Sequence, residues 1–175
     1  MIAATIKTAV LLVVILVVQV ELFSDLRIFG VMPELLLGAA IAGGWNGGPE
    51  RGATVGFCAG LLYDLYLPTP LALSALTYML MAFAVGVIST GIADAGETPI
   101  RRAVSLVALP VGITLFIVLG ELLGQDLYTD GYVKLIVIAT IYTGLLMPPI
   151  HAGMRWALGV GRRDAPTPVR IEMVE

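Results

Sequence analysis

Two carboxylates sit in apolar sequence where acids are rare. Asp64 closes a face on which Gly52, Gly56 and Gly60 recur every fourth residue, and Glu34 follows Pro33 at the start of an earlier apolar run. A charge inside a bilayer is costly, so such a residue usually faces protein or water. Two acids on facing helices are, in principle, equipment for general acid–base chemistry. Nothing else in the chain supports an enzyme. It has one His and one Cys, with no Gly-x-Ser-x-Gly and no His-Glu-x-x-His. No catalytic residue is assigned. His151 has no second ligand at metal spacing, so neither a metal nor a cofactor is expected. Cys58 reads as a small packing residue inside a span.

Three roles stay open for Asp64. It caps or hydrogen-bonds a neighbouring helix, it meets a partner protein, or it handles substrate or protons. The glycines ahead of it are more specific. Gly52, Gly56 and Gly60 form a stripe that lets two helix backbones approach closely. The second helix is internal or foreign on this reading. Gly120 and Gly124 give a weaker copy. The cluster Gly43, Gly44, Gly47 and Gly48 reads as a loose turn, because no Gly-Lys-Ser/Thr follows to make a phosphate cradle.

The elements that carry these residues follow from composition. The 175 residues are 58% hydrophobic and 13% charged, with mean hydropathy +0.96. A soluble domain carries about 25% charged residues. The chain is therefore expected to be an all-α polytopic membrane protein. One transmembrane domain covers residues 1–160, and a polar, disordered tail follows over 161–175. A helix needs roughly 20 apolar residues to cross a bilayer. Six spans are drawn at about 5–23, 31–46, 50–66, 71–92, 101–122 and 132–157. Pro68 and Pro70 favour a tight turn between the third and fourth, and Pro148 and Pro149 should kink the sixth. The first run lacks a small-x-small cleavage site, so it reads as a retained span rather than a signal peptide.

Orientation follows from Lys and Arg. With a cytoplasmic N-terminus, the inside segments hold Lys7, Arg51, Arg101, Arg102, Arg155, Arg162, Arg163 and Arg170, and the outside holds Arg27 and Lys134. Eight against two is a clear positive-inside bias, with both termini cytoplasmic. Glu34 and Asp64 then share the outer leaflet. Their expected donors are Arg27, Lys134, tyrosine hydroxyls or a partner's groups. Tyr63 and Tyr66 fit an interfacial aromatic belt. The loop from Glu121 to Lys134 is acidic.

Residues 30–90 resemble a known family. The stretch runs from Pro33 and Glu34 through Pro49, Arg51 and Gly52. It continues through Gly56, Gly60, Asp64 and Leu65 to Pro70 and Ser74. It is similar to the bacterial rod shape-determining MreD family. That family usually has Pro-Asp where this chain has Pro33-Glu34. The resemblance implies a non-catalytic component of the rod complex, or elongasome, in the bacterial inner membrane. Such a component supports cell shape and lateral peptidoglycan synthesis. Its implied partners are an MreC-like scaffold and, through the complex, RodA, a class B penicillin-binding transpeptidase and MreB. Glu34, Gly52, Gly56, Gly60 and Asp64 are the expected partner-facing or helix-packing residues. Lipid is the other expected partner, and nucleic acid is not one. The resemblance also implies the fold of the S components of energy-coupling-factor transporters. A substrate-binding subunit of such a transporter is the alternative function. Those subunits often dock through Ala-x-x-x-Ala in the first helix, and here Ala4 is followed by Thr8 with Lys7 between.

Overall fold

The computed structural model describes residues 2–23, 26, 30–67, 71–92, 97–125 and 131–160. Among them, every regular element is a helix. The elements are α1 (Ile2–Val17) with a π turn (Val18–Leu22), α2 (Leu35–Asp64), α3 (Leu73–Gly91), α4 (Glu97–Leu122) and α5 (Tyr132–Leu158). Four stretches are long and apolar enough to cross a membrane: Ile2–Leu22, Leu73–Gly91, Pro99–Leu122 and Tyr132–Leu158. The tail 161–175, the Pro68–Pro70 turn, Arg27 and the acids Asp126 and Asp130 lie outside the described residues.

The expected second and third spans form one helical element that doubles back on itself. Gly48 breaks α2 with φ 77° and ψ −178°. A left-handed φ is cheap only for glycine, and Pro49 supplies the fixed φ that starts a new helix. The limbs, residues 35–47 and 49–64, run antiparallel. A Cβ placed on Gly52 would stand 2.5 Å from the Gly44 Cα, eight positions back along the chain. A straight helix would separate those two residues by about 12 Å. The glycine cluster is therefore not a loose turn. Only Gly48 turns the chain, while Gly43 and Gly44 are buried helix whose missing side chains admit Val55 and Ala82.

Residues 35–44 are buried without interruption. A helix apolar on every side is enclosed by others. The first limb meets Met147 and Ile150 of α5 at Gly38, and Ala82 of α3 at Gly44. From α4, Gly112 packs on Leu37. The π turn of α1 sends Gln19 inward, where its Oε1 accepts the Leu36 N–H at 2.9 Å. The Thr143 hydroxyl accepts the Glu34 N–H at 2.8 Å. Side chains from α1 and α5 thus satisfy amide groups that the start of a helix leaves open. The outward faces remain apolar, as at Val10, Val14 and Val17 of α1 and Val107 and Val111 of α4.

Pro148 and Pro149 both lie inside α5. Two other sequence expectations change. Gly124 is not a packing position. It ends α4 with φ 76°, open space where a Cβ would sit, and hydrogen bonds closing on Glu121 and Gly120. Cys58 is exposed. It lines an open groove of about 270 Å³ beside Thr8 and Ala9 of α1, so it fills no packing gap.

Candidate functional site

The glycine stripe meets α3, within the same chain. A Cβ on Gly60 would overlap the Ser74 carbonyl, one on Gly56 the Tyr78 carbonyl, and one on Gly52 would press on the Ala82 carbonyl at 3.0 Å. At the next step, a Cβ on Gly86 would stand 2.6 Å from the Pro49 Cα. Each contact lies four residues further along one helix and four residues back along the other. A period of four on both keeps the two antiparallel backbones in register along the whole limb. Close backbone approach of this kind is what small residues permit between helices in lipid.

Asp64 lies at the end of this zipper and is 3% exposed. Its carboxylate accepts the backbone N–H of Ser74 at 2.9 Å and of Ala75 at 3.1 Å. These are open donors at the first turn of α3. Asp64 is also the last residue of α2, where the helix dipole disfavours an anion by about 0.3–1 kcal/mol. Hydrogen bonds to a charged group contribute about 1.5–3 kcal/mol each, so the two amides decide the balance. Asp64 therefore caps its neighbour, ten residues downstream, in place of a local capping side chain. Ala72 helps to turn the chain into that cap, with φ 81°, the one non-glycine left-handed residue among those described.

Glu34, the residue just before α2, meets α3 one turn further along, at Tyr78. Its Oε2 accepts the Tyr78 hydroxyl at 3.0 Å. Tyr78 in turn stacks on Tyr63, ring centroids 6.2 Å apart and planes 18° from parallel. Tyr63 is thus buried and does not join a surface belt, whereas Tyr66 is exposed. Glu34, Tyr63 and Tyr78 line a cavity of about 60 Å³ closed by Leu37, Ile113 and Phe116. The structure brings both acids to one end of α3 but gives each its own donor. One of the expected donor types, a tyrosine hydroxyl, serves Glu34. For Asp64 the donors are amides of its own chain.

A second polar cluster was not singled out from sequence. His151 is 4% exposed. Its Nδ1 is 3.2 Å from Asn46 Nδ2, and its Nε2 is 3.0 Å from the Ser105 hydroxyl. Asn46 also donates to the Ala42 carbonyl at 2.7 Å. The Asn46 N–H thus donates to Nδ1, and the ring N–H is on Nε2 and donates to Ser105 Oγ. Both ring nitrogens are occupied. The signal in the sequence was three lone polar residues in three apolar runs, each of which needs a partner in lipid.

Five of the six described basic residues lie at the end opposite Glu34 and Asp64, with Glu50 beside Arg51, while Lys134 starts α5 at the other end. The Lys7 ammonium lies 5.0 Å from the Trp156 ring centroid. Arg51 shares a groove with Ala4 and Leu158. Arg101, Arg102 and Arg155 surround a third cavity beside His151. One end of the bundle is held by two internally bonded acids and the other carries five cations. Comparison with protein-family models, with curated proteins and with solved structures finds no match.

Proposed function

We propose that this chain is a non-catalytic integral membrane component of the bacterial rod complex, similar to MreD. Its role is to bind an MreC-like scaffold and, through the complex, RodA, a class B penicillin-binding transpeptidase and MreB. The observation that carries this reading is the use made of the two acids. A solute-binding subunit needs polar groups turned into a pocket of roughly 300–1,000 Å³. Here Asp64 and Glu34 are spent on α3, and the cavity beside Glu34 is about 60 Å³, room for a water or two. That geometry leaves no solute site at the acids and on that count favours a rigid scaffold over an energy-coupling-factor S component, which is the second reading.

The proposal includes six spans and two cytoplasmic termini in the inner membrane. Lys7, Arg51, Arg101, Arg102 and Arg155 at one end of the bundle support it, as a cytoplasmic end is expected to be basic. The limbs of α2 are about 20–24 Å long at 1.5 Å per residue, short of the ~30 Å hydrocarbon core. The non-helical residues 31–34 lengthen the first limb, and local bilayer thinning accommodates the rest. Detergent co-purification with a tagged MreC-like protein tests the function. A stable complex is expected. Recovery of the chain alone, together with saturable binding of a small solute, would favour the transporter reading.

A further inference from the structure

The cavity at the basic end has two chemically different halves. Arg101, Arg102 and Arg155 ring one side, with the buried Ser105 and His151 behind them. Leu106, Met147 and Pro148 line the rest. The order along the helices sets the direction. On α4 the arginines come first and Leu106 follows a turn later. On α5 the wall runs from Met147 through His151 to Arg155 at the end. Cationic groups therefore sit near the helix ends, and the apolar wall extends toward the middle of the bundle. The volume is about 280 Å³, and the lining comes from α4 and α5 alone.

Two facts separate this from a merely basic surface. Among the described side chains, no carboxylate lines the cavity beside the three arginines. In addition, Ser105 is 2% exposed and accepts from His151 Nε2, which leaves its own O–H free to donate. Three guanidinium groups and one buried hydroxyl line a space that no carboxylate enters among the described side chains. Guanidinium forks match the oxygens of a phosphate.

We propose that this cavity binds an anionic phospholipid of the leaflet that contains the arginine end. The phosphate lies between Arg101, Arg102 and Arg155 and takes the Ser105 O–H, while an acyl chain lies along Leu106, Met147 and Pro148. Free phosphate shares the headgroup chemistry but gains nothing from the apolar wall. A basic pocket between helices at a membrane face is a site where acidic lipids bind. The inference rests on geometry alone and holds whether or not the chain belongs to the rod complex.

The test measures lipid retention by the purified full chain in nanodiscs and, after detergent release, by native mass spectrometry. Equal amounts of phosphatidylglycerol and phosphatidylcholine are supplied. The expected result is preferential retention of phosphatidylglycerol. It should fall by about fivefold for each arginine removed in Arg101→Gln, Arg102→Gln and Arg155→Gln. A Lys7→Gln, Arg51→Gln double variant removes charge at the same end but outside the cavity. It should retain lipid as the parent does. Equal loss in that variant would reduce the effect to overall charge and overturn the site. Equal retention of the two lipids, or displacement of the bound lipid by millimolar inorganic phosphate, would also overturn it.

Discussion

The Asp64 carboxylate and the Ser74 backbone N–H lie 2.9 Å apart across the turn that joins α2 to α3. The acid at the end of one helix therefore serves as the cap of the next. Its neighbours on the same face, Gly60, Gly56 and Gly52, hold the two helices close enough for that bond to form. The acid and the glycines are one device.

Asp64→Asn should destabilise this device. One side-chain oxygen is replaced by an NH2 group, which then faces a backbone N–H donor. A buried donor left unpaired costs about 1–3 kcal/mol. The expected outcome is a lower melting temperature in detergent and faster proteolysis between α2 and α3, with insertion retained. Unchanged thermal stability would show that the cap contributes nothing.

Glycine substitutions should divide by position. Gly56→Leu drives a large side chain into the Tyr78 backbone, and overpacking of this kind costs about 1–3 kcal/mol or more. Gly56→Ala already meets backbone there, whereas Gly91→Ala meets open space. Folded yield measured by size-exclusion chromatography should fall for both Gly56 variants and stay level for Gly91→Ala. Equal behaviour of all three would mean that the stripe is not in contact.

Ala72→Gly should be neutral or stabilising, although it deletes a side chain. A left-handed backbone costs a non-glycine residue about 1–2 kcal/mol, and φ is 81° here. Thermal unfolding checks the sign. A clear loss of stability would mean that the Ala72 methyl contributes more than the strain it carries.

A reporter active only outside the cytoplasm, fused after Val160, should be silent. That outcome follows from six spans and from the five cations at the end where α1 begins and α5 finishes. Strong activity would require an odd number of crossings or the reverse orientation, and would overturn the placement of the C-terminus in the cytoplasm.

Local patterns made part of this legible in the sequence. Three glycines at a spacing of four residues mark a close helix face without any knowledge of its partner. Apolar run lengths located the helices to within a few residues, and the break between the second and third spans fell where Gly48 turns. The rest depended on long-range closure. Backbone amides that satisfy Asp64 have no side-chain signature. Tyr63 and Tyr66 are three positions apart, and only the packing of Tyr78 decides which is buried. Asn46, Ser105 and His151 come from three elements, so each looked isolated.

The central claim is that this chain is a scaffold component whose acids hold helices together. Co-purification with a tagged MreC-like protein tests it most directly, with the parent chain and with a Glu34→Gln variant that keeps an acceptor for the Tyr78 hydroxyl. The account predicts a stable complex for both, because Glu34 is used inside the bundle and not at a partner surface. Failure of the parent chain to form any complex, with micromolar binding of a small solute that Glu34→Gln abolishes, would contradict it.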